Sequence, residues 1–201
     1  MTNEGGIDGT YRLLKNIMGL WLVQQCNRSF EAAGRKYNYA QLAALAAKAR
    51  PSRAIIDVND PRFTNPADMP KEIQAFCRET RQPVPKTDAE LIRCCYESLA
   101  QKYGEVVQSL ETLTDNSIEV IHIVGGGSQS QLLNQFTANV CQRPVIAGPI
   151  EATAMGNLLT QVKADGELSS LAEMREVVRI SSKVETFEPA NGKTASLRKH
   201  R

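Results

Sequence analysis

The chain has 201 residues, 42% of them hydrophobic and 23% charged, and a formal net charge of +2. That is enough for one ordinary domain with a real core, and far too little positive charge for a nucleic-acid binder. No apolar stretch approaches the roughly 20 residues that span a bilayer, and the N-terminus lacks the basic and apolar regions of a signal peptide.

In chain order, "TNEGGIDG" reads as a glycine-rich leading loop. Residues 10–31 place Leu13, Leu14, Ile17, Met18, Trp21, Leu22 and Cys26 at helical spacing. Residues 39–50 form an Ala-rich helix ended by Pro51. "RAIIDVND" predicts a short strand or extended segment, and "NDPRFTNPADMP" a turn-rich loop. Asp68 caps the next helix, with Pro70 in its first turn, and "RQPVPK" breaks it. Thr87 and Glu90 form a T-x-x-E capping box for a long helix reaching Thr114. A strand over 118–124 runs into Gly125, Gly126 and Gly127, and a helix over 130–141 follows. "RPVIAGP" supplies a second short strand and "IEATAMGNLLTQVKA" another helix, ended by "DG". Ser170 and Glu173 suggest a capping box for a last helix to Ile180, after which the pattern fades into a polar tail. Short strands alternating with helices argue for an α/β layer, against which the helices of the first 115 residues must pack.

The five cysteines are Cys26, Cys77, Cys94, Cys95 and Cys141, an odd count without C-x-x-C spacing, so no zinc site is expected. Their plain reading is free thiols in a reducing cytosol. Cys77 and Cys94 flank the Pro-rich turn, so two antiparallel helices could bring them together, geometry permitting. The only histidines, His122 and His200, fall in a strand and in the tail, which removes His-based metal sites and triads.

The glycine triplet carries the chemistry. Glycines before a helix let a ligand reach the unpaired N–H groups and positive dipole end of that helix. "GGGSQS" lacks the Walker A lysine, and Ser130 stands where the third glycine of G-x-G-x-x-G belongs, so neither motif is present. A plain strand-to-helix crossover remains the alternative. In "EATAMGN", Ala152, Met155 and Gly156 share one helix face, leaving a slot for a planar base or a close helix contact. Asn16 and Gln24 lie eight residues apart. On one helix that is roughly 12 Å along the axis and about 80° around it, one groove or two solvated positions.

"IHIVGGGSQSQLLNQFTANV" followed by "PVIAGPIEATAMGNLLTQ" resembles the C-terminal ATP-binding domain of the FGGY carbohydrate kinases. The resemblance runs from Thr2 to Pro189. The upstream segments "TNEGGIDGTYRLLKNIMGLWLVQQ" and "NDPRFTNPADMPKEIQAFCRETRQPVPKTDAELIRC" narrow it to members that act on L-rhamnulose. It implies an α/β, actin-like (ribonuclease H-like) ATPase fold, here helix-rich with a small sheet. It implies transfer of the ATP γ-phosphoryl group to the 1-hydroxyl of L-rhamnulose with Mg²⁺, in L-rhamnose catabolism and in the cytoplasm. By motif matching, Asn16, Gln24 and Gly126 would contact ATP. Gly125 and Gly127 would pass close to it, with Ser128, Ser130 and Gly156 as weaker pocket candidates. Cys77 and Cys94 match positions where such kinases carry a cysteine pair, a disulfide that a cytosolic location disfavours.

The family's N-terminal sugar-binding domain and its G-H-D-type segment with the catalytic aspartate have no match here. The domain is therefore expected to be N-terminally truncated, with kinase fold over 1–185, a polar, flexible tail over 186–201, and no catalytic base or metal ligand of its own. Asp57, Asp60 and Asp68 read as turn and cap residues. The fragment alone is expected to be inactive, its partners being ATP, the missing domain and, in the whole enzyme, L-rhamnulose. The apolar edge left by truncation is compatible with a homodimer. The competing readings are a non-catalytic adenine-nucleotide or protein-binding module, and a structural remnant in which the glycines only turn the chain.

Overall fold

The computed structural model describes residues 1–190. The chain divides into two compact units, Met1–Ser117 and the residues from Ile118 onward.

The first unit opens with a hairpin. Strand β1 (Thr2–Gly5) pairs antiparallel with β2 (Tyr11–Leu14), in register Thr2 to Leu14 and Gly5 to Tyr11. The helix expected over 10–31 therefore begins only at Trp21, as α1 (Trp21–Ala32). Its apolar spacing is real, but the cross-strand ladder claims residues 11–14. Gly19, at φ +65°, then turns the chain ahead of the helix.

Three more helices follow: α2 (Tyr39–Lys48), α3 (Met69–Glu79) and α4 (Asp88–Thr114). Asp68 caps α3 through the Lys71 N–H, and Thr87 with Glu90 closes a reciprocal capping box on α4. Asn38 and Gln41 form a second such box on α2. The core joins Leu22, Phe30, Leu42, Ile73, Ile92 and Leu99, all at most 1% exposed. Each contributes roughly 1.5–3 kcal/mol by leaving water.

Residues 51–60 join neither sheet among the described residues. They alternate nonetheless, with Ala54, Ile56 and Val58 buried. Side chains replace the ladder. Ser52 N–H donates to the Glu97 carboxylate, Ile56 N–H to the Ser98 hydroxyl, and Gln82 brackets Ile55 with a bond to its N–H and one to its carbonyl. Backbone polar groups that are buried must be paired, and here α4 and the α3–α4 turn do the pairing.

The second unit is a three-stranded sheet with helices. Strand β3 (Ile121–Ile123) pairs parallel with β4 (Val145–Ala147), which pairs antiparallel with β5 (Glu185–Phe187). Helix α5 (Gln131–Cys141) connects β3 to β4, and α6 (Ala152–Ala164) and α7 (Leu171–Ser181) connect β4 to β5. Val145, Ala147, Ala138 and Phe187 form a small core against Ile121 and Ile123. The strand expected over 118–124 is thus shorter. Ser170 caps α7, while Glu173 returns its bond to the Ser169 N–H.

Residues 185–187 belong to the sheet, although the sequence fades there. The segment just after them is tied as well: Gln135 donates to the Glu188 carbonyl, and the Ala190 N–H to the Asn139 side chain. The rest of the expected tail, with His200, lies outside the described residues.

Candidate functional site

The glycine turn stands at the carboxyl end of β3. Residues 125–129 form a 3₁₀ turn, and α5 starts at Gln131. Parallel pairing puts the carboxyl ends of β3 and β4 side by side, the usual place for ligands in an α/β layer. The two following loops are bonded to each other: Gly125 N–H donates to the Pro149 carbonyl at 3.0 Å, and Gly148 N–H to the Ile123 carbonyl at 2.8 Å. The Ser128 hydroxyl donates back to the Gly125 carbonyl at 2.7 Å. Ser130 N–H donates to the Gly127 carbonyl at 3.1 Å. Asn134, fully buried, donates its side-chain N–H to the Ser128 carbonyl at 2.8 Å.

The three glycines are not equivalent. Gly125 adopts φ +74°, a conformation that glycine takes at little cost and that strains a residue with a side chain. Gly127 has a negative-side φ, and a Cβ there would make an ordinary contact with Ile123 at 3.9 Å. Gly126 has neither constraint: its φ is not positive and nothing lies within 4 Å of where its Cβ would stand. The fold therefore explains Gly125 and leaves Gly126 unexplained.

Gly156 behaves likewise. It sits inside α6, where glycine costs roughly 1 kcal/mol relative to alanine, and its Cβ would meet nothing within 4 Å. Close helix packing is therefore not its reason. Gly148, which sequence reasoning missed, is required: φ is +115° and a Cβ would stand 2.8 Å from the Lys183 carbonyl. The signal was the G-P dipeptide directly after a strand. A cleft of about 230 Å³ lies beside the turn, lined by Ser128, Gln129, Gln131, Gly148, Ile150 and Lys183 among others. Ser130 Oγ and Asn134 Oδ1 are buried polar atoms without a hydrogen-bond partner.

Asn16 and Gln24 belong to the first unit, the glycines to the second. Asn16 lies in the loop between β2 and α1, not on the helix, so the shared-groove geometry expected of one helix does not apply. Gln24 is on the first turn of α1, and both residues are exposed. The loop is held from outside. Asn59 accepts from the Met18 N–H at 3.0 Å and donates to the Asn16 carbonyl at 3.3 Å. Sequence reasoning passed over Asn59 as part of a turn-rich loop.

All five cysteines are free and buried. Cys77 and Cys94 are hydrogen-bonded thiols here, with no sulfur–sulfur bond between them. That bond, together with burial, raises Cys94 well above the ordinary thiol range. Cys95 is raised by its bond with Cys26 and by burial, and burial pushes Cys141 up to about 11. Cys94, Cys95 and Cys141 are thereby poor nucleophiles at neutral pH, while the bond with Cys94 holds the Cys77 thiol below its ordinary value.

Residues 1–164 match the FGGY family of carbohydrate kinases, C-terminal domain. The chain belongs to the FGGY family of carbohydrate kinases. It is 44% identical over 188 residues to a rhamnulokinase of Bacteroides thetaiotaomicron, covering 94% of this chain and 38% of that protein. It is 46% identical over 188 residues to a rhamnulokinase of Bacillus subtilis, with the same coverage. The chain thus spans 38% of the length of these relatives.

Among solved structures, a xylulose kinase from Rhodospirillum rubrum matches with a TM-score of 0.52 at 19% identity, over 85% of this chain and 33% of that one. Plasmodium falciparum glycerol kinase, solved with ADP, matches with a TM-score of 0.56 at 15% identity, over 84% and 31%. The fold is the actin-like ATPase fold of the FGGY kinases. Among the described residues no helix is long and apolar enough to cross a membrane.

Proposed function

We propose that this chain is the nucleotide-holding part of a kinase that transfers the γ-phosphoryl group of ATP to the 1-hydroxyl of L-rhamnulose. Gly126 carries the nucleotide reading, because its bare backbone answers to no demand of the fold. The sugar is inferred from the rhamnulokinases to which the chain is 44–48% identical. A role in L-rhamnose catabolism, in the cytoplasm, goes with that inference.

In this reading Asn16 and Gln24 of the first unit and Gly126 of the second are ATP contacts, with Gly125 and Gly127 beside Gly126 in the chain and Ser128, Ser130 and Gly156 as weaker candidates. Phosphoryl transfer depends on positioning and on stabilising charge rather than on covalent help from the protein. The residues here hold and orient the nucleotide. Among the described residues no group of three or more metal-ligating side chains is assembled. Mg²⁺, which would neutralise phosphate charge, would be held by the nucleotide phosphates and water. The sugar pocket and the general base would come from the part of the relatives that this chain does not span. Closure of the two parts would exclude water from the reacting groups.

Calorimetry of the chain with a non-hydrolysable ATP analogue tests the nucleotide assignment. Heat is expected for the wild type, and no heat at millimolar analogue overturns it. The chain alone is expected to form no ADP in response to L-rhamnulose, and sugar-dependent ADP production would refute that. Turnover on mixing with the N-terminal part of a rhamnulokinase separates a kinase half from a non-catalytic nucleotide module.

A further inference from the structure

Asn59 lies outside every helix and strand, at the head of the segment "NDPRFTNPADMP", and no site role attaches to it in the kinase reading. Its carboxamide nevertheless takes two backbone groups at once. Oδ1 accepts from the Met18 N–H at 3.0 Å, and Nδ2 donates to the Asn16 carbonyl at 3.3 Å. The two partners are two residues apart, so the side chain does what the edge of a neighbouring strand would do. It fixes the backbone on both sides of Ile17, just after β2 and just before Gly19 turns the chain into α1.

The clamp is itself held firmly. Asn59 N–H donates to Asp57 Oδ1 at 3.1 Å. The Asp57 carboxylate stands 3.5 Å from the ammonium of Lys102 on α4. On either side, Val58 is fully buried and Asp60 caps the 3₁₀ turn at Pro61–Phe63 through the Arg62 N–H. Long-range bonds from a side chain to two loop backbone groups specify one loop conformation. A solvated loop with no task has no need of that.

We propose that Asn59 is the positioning residue that presents Asn16 to the nucleotide. This rests on the reading of Asn16 as a nucleotide contact. Asn59 itself touches no ligand and acts through the loop backbone. Replacing it leaves Asn16 present but no longer held.

The test uses the 201-residue chain and the variants Asn59→Leu and Asn59→Ala, with Ile73→Val in the α3 core as a stability control. Two quantities are read in each: hydrogen exchange at the Met18 amide, and affinity for the ATP analogue AMP-PNP with Mg²⁺. Both Asn59 variants should lose Met18 protection and bind the analogue about tenfold more weakly, the worth of two modest hydrogen bonds. Ile73→Val should lower the melting temperature and leave affinity unchanged. Lost Met18 protection with affinity within about twofold of wild type gives Asn59 a purely structural role and overturns the proposal. Retained Met18 protection in the variants overturns it too. A wild-type chain that binds no analogue removes the nucleotide reading itself and this proposal with it. If Asn59→Leu fails to fold, Asn59→Ala decides by the same two readings.

Discussion

Asn134 on α5 donates its side-chain N–H to the carbonyl of Ser128 at 2.8 Å, six residues back in the glycine turn. The helix thereby holds the turn that leads into it. Asn134 is fully buried and its Oδ1 has no partner, so the side chain is kept for that one bond. Asn134→Ala should destabilise the chain by about 1–3 kcal/mol, the cost of an unsatisfied buried carbonyl and a lost contact. Denaturant unfolding measures it, and exchange at the amides of residues 125–129 should speed up in the same variant.

Gly125 and Gly126 should respond oppositely to the same substitution. Gly125→Ala forces alanine to φ +74° and should cost about 1–2 kcal/mol of stability. Gly126→Ala meets open space and should leave the melting temperature unchanged, while weakening binding of an ATP analogue about tenfold or more, as far as a methyl group keeps phosphate from the backbone. A Gly126→Ala chain that binds as the wild type does would return the triplet to a plain crossover.

The capping box on α4 should make stability depend on acid. The Glu90 carboxylate accepts from the N–H groups of Lys86 and Thr87, which hold it below its ordinary value of 4.5. The folded-state value is the depressed one, so the unfolded chain binds the proton more tightly. The contribution is fully present above 4.5 and is lost as pH falls from there through the lower folded value. Glu90→Gln should flatten the stability profile in that window and leave it unchanged near neutrality in slope. Thr87→Ala should cost about 1 kcal/mol at all pH values.

The thiols give a direct check on the core. All five are buried, so Ellman's reagent should label the native chain only as fast as it opens, and all five positions once it is unfolded. Three labels on the unfolded chain without reductant would reveal one disulfide, with Cys77 and Cys94 the first pair to examine.

Much was legible in the sequence where local chemistry sets local structure. The Thr87–Glu90 box, the Asp68 cap with Pro70 behind it, and the helices they open depend on residues three or four apart. The glycine triplet declared a strand end for the same reason. The exceptions are instructive. Residues 11–14 have helical spacing but pair with 2–5, because a strand partner six to twelve residues upstream outweighs periodicity. Residues 185–187 look polar and form a strand, because the edge of β4 supplies their backbone partners. Residues 51–60 alternate like a strand and use side chains of Glu97, Ser98 and Gln82 as the ladder.

At the candidate site the division is the same. That three glycines follow a strand and precede a helix is a property of the sequence alone, and so is the family to which those residues point. Which glycine the fold requires is not. Positive φ at Gly125, free space at Gly126 and the Lys183 carbonyl facing Gly148 exist only once β3, β4 and β5 are brought together. Asn59 and Asn134 likewise hold loops that lie 41 and six residues away in the chain, through bonds that no spacing announces. Short-range hydrogen bonds and periodicity can be read along a chain. The space around a backbone atom, and the partner that reaches it from a distant segment, are decided by packing.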